Sequence, residues 1–313
     1  MDSRKNLDGL AVGVMVLLCM LWSLQQISLK AAAADVSPML MVALRSAVAA
    51  LLVAGVMAWR RERVALATGR WRAGLVVGLL FALEYLFVAE ALRHTHASHV
   101  VVFLYTSPIF AAVGLHLRLP AERLRPLQWA GIAIAFGGIA LAFGGRGGGT
   151  AMGMTMLWGD LLALAAGASW GATTVVIRCS RLSEAPATET LLYQLLGACV
   201  LLGAGALVTG QTALQATPAF WAHLGFQALI VSFASFLVWF WLLRHYLASR
   251  LGVLAFLTPI LGVVFGAWLL AERLDAAFVA GAGLVLAGVL VVSAHGWLEG
   301  LLRGWASRGA ASR

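Results

Sequence analysis

Apolar residues in this chain fall into ten long blocks separated by short polar interruptions. A helix needs about 20 apolar residues to cross the hydrocarbon core of a bilayer. The blocks lie at 9–32, 38–58, 73–92, 97–117, 127–144, 156–178, 188–208, 220–243, 250–270 and 277–296. The breaks carry helix-ending chemistry. Asp35 and Pro38 mark the first turn, and the basic run WRRERVALATGRWR (59–72) the second. The glycine-rich run GGRGGGT (144–150) divides the chain near its middle, and Pro186 and Pro218 open later blocks. The pattern predicts an all-α polytopic membrane protein of ten transmembrane helices, called spans 1–10 below. Span 1 has basic residues before it and alanines after it, as a signal peptide does. It is too long for one and is expected to be retained.

The blocks repeat. At an offset of 148, Trp22 matches Trp170, Lys30 matches Arg178, Pro38 matches Pro186 and Gly55 matches Gly203. At 151, RHTHAS (93–98) matches RHYLAS (244–249), and Pro108-Ile109 matches Pro259-Ile260. At 150, AERL (121–124) matches AERL (271–274), and Gly131 and Gly138 match Gly281 and Gly288. Residues 1–148 and 149–313 thus read as two copies of one unit. Each copy holds five spans, an odd number, so the second must enter the membrane inverted relative to the first. Inverted repeats with a midplane site between them mark secondary transporters.

Composition agrees. Of 313 residues 62% are hydrophobic and 11% charged, against about 45–50% and about 25% in soluble domains. That excludes a water-soluble or disordered chain. The net charge of +9 is placed unevenly. With the N-terminus inside, 17 of the 22 lysines and arginines fall in cytoplasmic segments and 4 outside, Arg45 lying within a span. The positive-inside rule then puts both termini in the cytoplasm. The basic loops face anionic lipid headgroups, so lipid rather than nucleic acid is the implied partner. Cys19, Cys179 and Cys199 lie in apolar runs without metal-ligand spacing and read as free core thiols.

The motifs are more specific. LWSLQQISLK in span 1, LRSAVAALL in span 2, EALRHTHAS leading into span 4 and Pro108-Ile109-Phe110 followed by AER are echoed by SWGATTVVIR, LRHYLAS and TPILGVVFGAWLLAERL. Over essentially its whole length the chain resembles EamA-type members of the drug/metabolite transporter superfamily. The resemblance implies a ten-helix exporter of small organic solutes (amino acids, aromatic metabolites or drug-like compounds) in a bacterial cytoplasmic membrane. It also implies a cavity lined by spans 1, 3, 4, 6, 8 and 9. Tyr193 stands where Arg45 would recur, so Arg45 is not one of a symmetric pair.

Several residues could carry chemistry. A charged acid near the middle of a span costs about 2.5–3.5 kcal/mol on insertion scales. Glu84 must therefore face a cavity, pair with Arg45, or stay neutral. Helical spacing puts Phe81, Glu84, Tyr85 and Val88 on one stripe, matched in span 8 by Ser232, Ser235, Phe236 and Trp239. Trp22 and Trp170 lie mid-span, followed by Gln25-Gln26 and Thr173-Thr174. They line a wet path or pack in the core, whereas Trp59, Trp71, Trp297 and Trp305 lie at span ends as interface anchors. Pro108 and Pro259 free the carbonyls of Leu104 and Ala255 and read as gating kinks or static bends, with Thr106, Ser107 and Thr258 beside them as possible carbonyl partners. The candidate substrate-binding set is Trp22, Gln26, Glu84, Tyr85, Thr106, Trp170, Thr174, Ser235, Trp239 and Thr258. The histidines of RHTHASH (93–99) read as a solvated outer turn rather than a metal site. Nothing calls for a cofactor. The paired glycines of spans 5 and 10 predict close packing of those helices within one, monomeric, chain. No nucleotide-binding loop or Ser-His-Asp set is present, which disfavours an ATP-driven pump. A membrane-embedded enzyme or a solute channel remains the alternative.

Overall fold

The structure is a computed structural model that describes the backbone of residues 8–62, 69–144, 151–246 and 248–311, with side chains also described over most of these. The glycine-rich run from 145 to 150, most of the basic loop after span 2 and the two end segments lie outside the described residues. Among the described residues, ten helices are long and apolar enough to cross a membrane. They are Gly9–Ala34, Pro38–Trp59, Arg70–His94, Ala97–Arg118, Pro126–Phe143, Gly153–Arg178, Ala187–Val208, Pro218–Trp239, Leu251–Leu269 and Ala276–Ser293. The last helix runs on as Ala276–Ala311, beyond the expected end at 296.

Side-chain caps start several spans. The carboxylate of Asp8 accepts from the Ala11 N–H at 2.8 Å, and that of Asp275 from Phe278 at 2.6 Å. Ser37 and Thr217 cap the helices opened by Pro38 and Pro218. An N-cap oxygen satisfies a donor that the helix leaves free, and proline at the first helical position loses nothing.

Among the described residues, three spans depart from plain helices in their interiors. Span 4 breaks into Ala97–Leu104 and Ser107–Arg118, and span 9 into Ala248–Ala255 and Leu257–Leu269. Both breaks fall just before the matched prolines. Span 8 contains a π-helical stretch, Phe226–Ser235, a wider turn that sequence periodicity does not reveal and that recurs at functional sites.

The two copies are interleaved. Span 1 packs on span 9, span 2 on spans 7 and 8, span 3 on spans 6 and 7, span 4 on spans 6 and 9, and span 5 on span 10. Two pseudo-symmetric groups result, one of spans 3, 4 and 6 and the other of spans 8, 9 and 1. Each draws from both copies. Large apolar side chains such as Leu51, Leu75, Val200 and Trp268 face outward, while Gln26, Arg45, Glu84, Asp160 and Gln227 are buried. Polar groups inside and apolar groups outside is the arrangement a lipid solvent imposes.

Spans 5 and 10 meet backbone to backbone. A side-chain carbon added at Gly131 would lie 2.8 Å from the Gly288 carbonyl, and one at Gly138 2.6 Å from that of Gly281. Only glycine fits such an approach. Gly138→Leu is therefore predicted to cost about 1–3 kcal/mol, the usual range for overpacking. Monodispersity after heating in detergent measures it. An unchanged melting midpoint would show that the two helices can separate freely.

The thiol expectation needs correcting. Cys19 is buried, but Cys179, in the turn after span 6, is exposed and Cys199 is only half-buried. The histidine run is corrected too. His99 is buried inside span 4, where its ring stacks on Phe278 at 3.6 Å and its Nδ1 lies 3.1 Å from Asp160 Oδ1. Thr95 donates to the same oxygen at 2.6 Å. The first-turn residues of span 4 are packed against spans 6 and 10 rather than solvated. Among the described residues no group of three or more histidine, cysteine or carboxylate side chains could hold a metal ion.

Candidate functional site: a central aromatic cavity

The span breaks and the mid-helix tryptophans converge on a central cavity of about 220 Å³. Its walls include Trp22, Gln25 and Gln26 of span 1, Phe81, Glu84 and Tyr85 of span 3, and Val101, Leu104 and Tyr105 of span 4. Trp170, Gln194, Phe236, Trp239 and Ala255 complete them. Leu104 and Ala255 carry the carbonyls freed by Pro108 and Pro259, so both helix breaks lie at the cavity wall.

The aromatic walls are fixed by edge-to-face contacts. Trp22 meets Trp239 at 5.6 Å and 77°, and Trp170 meets Tyr105 at 5.4 Å and 84°. Such pairs are worth about 0.5–1.5 kcal/mol beyond their area. The Trp22 indole N–H donates to Ser235 Oγ at 3.0 Å, and the Ser235 hydroxyl donates to the Val231 carbonyl. Ser235 therefore holds Trp22 in place without lining the cavity.

A polar chain braces one wall. Arg45 Nη1 donates to Gln227 Oε1 at 2.5 Å, and Gln227 Nε2 donates to the Gln25 carbonyl at 2.7 Å. Gln25 Nε2 donates to the Tyr85 hydroxyl at 2.8 Å. The Arg45 guanidinium lies 4.3 Å from the Tyr85 ring centroid, within cation–π range. The π-helical turn of span 8 carries Gln227 and so helps set this chain.

Arg45 thus donates to a glutamine and lies over a ring, and it makes no ion pair with Glu84 among the described residues. Glu84 is only 5% exposed, forms no ion pair among the described residues, and its Oε2 has no hydrogen-bond partner. Gln26 Oε1 is likewise buried and without a donor. A buried acceptor left unmade costs about 1–3 kcal/mol. Two such acceptors in one aromatic cavity form a site that a donor-rich ligand would complete.

Six of the ten sequence candidates meet at this cavity: Trp22, Gln26, Glu84, Tyr85, Trp170 and Trp239. Four lie outside its walls. Thr106 donates to the Phe103 carbonyl at 2.6 Å and Thr174 to the Trp170 carbonyl at 3.3 Å. Hydroxyls in membrane helices satisfy themselves this way when no other acceptor is close. Thr258 is buried beside Pro259, and its carbonyl lies 2.7 Å from the Ser23 hydroxyl. Ser235 acts through Trp22. The sequence reading did not single out Tyr105 or Gln194, and it left span 7 out of the lining. A glutamine in the middle of that span was the available signal.

A second depression, between spans 4, 5 and 6, is bordered by Ile109, Phe110, Leu117, Trp129 and Phe136, with Arg118 at one end. Its walls are otherwise apolar, as suits lipid chains rather than a polar solute.

The model of the EamA-like transporter family matches the chain twice, over residues 9–144 and 157–294. The chain belongs to the EamA-like transporter family. The two matched segments carry the duplication seen as repeated motifs. The chain is 23% identical over 275 residues to the "Uncharacterized transporter YoaV" of Bacillus subtilis, covering 87% of this chain and 92% of that protein. It is 23% identical over 282 residues to an "Uncharacterized transporter" of Archaeoglobus fulgidus, covering 90% and 96%. A solved crystal structure aligns with a TM-score of 0.63 at 21% identity, over 90% of this chain and 95% of that one, and shares the fold. This EamA-like protein is a multi-pass membrane protein whose relatives are named transporters.

Glu84→Gln separates charge from packing. Because no ion pair holds Glu84, the variant is predicted to keep its expression level and thermal stability. Binding of organic ammonium solutes should fall about tenfold or more, the weight of one charge-assisted hydrogen bond. Tryptophan quenching titrations with and without a protonated amine on the solute read this. Loss of the folded protein, rescued by neutralising Arg45 as well, would instead make Glu84 a structural partner.

Proposed function

We propose that this protein is a secondary transporter that exports small organic solutes across the bacterial cytoplasmic membrane by alternating access. The observation that carries this reading is the pair of unpartnered acceptors, Glu84 Oε2 and Gln26 Oε1, in a cavity walled by three tryptophans. An aromatic surround attracts a cation by the ring quadrupole, and a carboxylate gives the cation a direct partner. The substrate is then a compact molecule with a protonated amine and an apolar or aromatic body, as in amino acids, aromatic amines and amphipathic drugs.

The packing supports one way of changing access. The inverted repeat maps spans 3, 4 and 6 onto spans 8, 9 and 1. These two groups, each drawn from both copies, rock against each other about the cavity. The breaks before Pro108 and Pro259 act as the hinges. The arginine distribution supports the Arg178 end as the cytoplasmic one and the Lys30 end as the outer one.

Flux from proteoliposomes preloaded with a panel of amino acids, aromatic amines and neutral analogues tests the reading, with and without a pH gradient. Saturable efflux of the amines is expected. Trp22→Ala and Trp170→Ala should weaken substrate binding. Pro108→Ala and Pro259→Ala should slow flux at an undiminished protein level. Conductance that does not saturate would indicate a channel, and chemically altered solutes an enzyme.

A further inference from the structure

The two ends of the bundle carry the same tetrapeptide, AERL at 121–124 and AERL at 271–274, yet the glutamates do different things. At one end Glu272 reaches back over the start of span 4. Its Oε1 accepts from the Ala97 N–H at 2.6 Å, and its Oε2 from the Ser98 N–H at 3.1 Å and the Ser98 hydroxyl at 2.6 Å. His96 Nδ1 lies 3.7 Å from Oε1. At the other end Glu122 turns to Arg178, and this pair is open to solvent.

The residue before each tetrapeptide explains the difference. Leu270 lets span 9 close with its N–H and that of Glu272 both donating to the Gly266 carbonyl. Ala271 is then left in the left-handed region at φ 52°, a conformation costing about 1 kcal/mol for a residue with a side chain. That turn points Glu272 back toward span 4. Pro120 stands at the matching place in the first copy, and the chain there forms the 3-10 turn Pro120–Glu122 instead. Space differs as well. Gly266 leaves a notch for the carboxylate, since a side-chain carbon there would lie 2.5 Å from Glu272 Oε2. Two residues, Leu115 and His116, flank the corresponding place in the first copy, and neither leaves such a notch.

These contacts also differ in what they join. Glu272 follows span 9 and binds span 4, so it ties the group of spans 8, 9 and 1 to the group of spans 3, 4 and 6. Lys30 of span 1 donates to the Thr95 carbonyl and crosses the same boundary. Arg178 and Glu122 both belong to the group of spans 3, 4 and 6. Tyr246 and Asp8, joined at 2.9 Å, both belong to the other group. Thr95, Ser98 and His99 are buried behind the Glu272 contact, whereas the Arg178 side chain is 59% exposed.

We propose that Glu272 is a latch that holds the Lys30 end of the cavity shut, with Gly266 as its seat and, among the described residues, no counterpart at the Arg178 end. It is a positioning residue: it touches no solute and acts by joining the two moving groups. Opening that end takes Glu272 off the Ala97 and Ser98 amides. Lys30, which crosses the same boundary, then receives it, in the arrangement that Arg178 and Glu122 already show at the other end. Burial pushes the Glu272 carboxyl up, but His96, Ser98 and the two amides outweigh it and hold the carboxyl at about 2. The latch is therefore charged at every physiological pH, and substrate or collective motion rather than protonation must release it.

The inference rests on alternating access, and the test separates the two. In a chain with Cys19, Cys179 and Cys199 replaced by alanine, Gln194→Cys places one reporter thiol on the cavity wall. A membrane-impermeant maleimide is applied from either face, using spheroplasts and inverted vesicles. The parent should label readily from the Arg178 face and slowly from the Lys30 face. Glu272→Ala and Gly266→Ala should each raise labelling from the Lys30 face at least about tenfold, the population shift expected on losing charge-assisted hydrogen bonds. Ser98→Ala should act the same way more weakly. Glu122→Gln, which breaks the solvent-exposed pair with Arg178, should stay within about twofold. Should the reporter label equally from both faces in the parent, alternating access itself fails. With a sided parent, unchanged rates in the folded Glu272→Ala and Gly266→Ala proteins overturn the latch, as does an equal effect of Glu122→Gln.

Discussion

Lipid offers no hydrogen bonds, and that one constraint organises this protein. Every backbone amide inside the bilayer must find its partner within the chain, which makes the spans helical. Every polar side chain must turn inward. Where the helix pattern fails, at the breaks before Pro108 and Pro259 and at the π-helical turn of span 8, it fails next to the cavity or to the polar chain that braces it. The same constraint explains the threonines that bond to their own helices and the arginine that donates to Gln227 and lies over a tyrosine ring. Against that background an acid with an unpartnered oxygen in the cavity wall stands out.

Duplication supplies the frame and divergence supplies the function. Matched tryptophans and matched prolines place the cavity between the copies, on both sides of a pseudo-symmetric centre. The mismatches do the discriminating. Glu84 faces a segment whose matching position is Ser235, so the cavity holds one acid rather than two. Arg45 has Tyr193 as its match, so the brace exists in one copy only. Pro120 against Leu270 turns two identical tetrapeptides to different tasks. A symmetric dimer of half-length chains could make none of these distinctions.

Much of this was legible in the sequence. Ten apolar blocks gave the spans to within a few residues, because span length is set by bilayer thickness and not by tertiary detail. The inverted repeat followed from prolines, arginines and AERL keeping their order. Trp22, Glu84, Tyr85 and Trp239 could be placed on inward stripes from helical spacing alone. The rest depended on neighbours. Thr106 and Thr174 share a face with cavity residues, but whether a hydroxyl bonds a solute or its own helix is decided by what lies within 3 Å. Gln194 was passed over because the resemblance left span 7 out of the lining, although a glutamine within that span was a signal. The RHTHASH run looked solvated because its partners, Asp160, Glu272 and Phe278, are distant in sequence. The π-helical turn leaves no periodic trace.

The central claim is that an amine-bearing solute binds between the tryptophans with its cation on Glu84. A cryo-electron-microscopy or crystal structure with a transported amine bound tests it most directly. The account predicts density bounded by Trp22, Trp170 and Trp239, with the solute nitrogen about 3 Å from a Glu84 oxygen, ordinary hydrogen-bond distance. Solute density in the apolar crease by Phe110 and Trp129, or in the central cavity with its nitrogen turned away from Glu84, would contradict it.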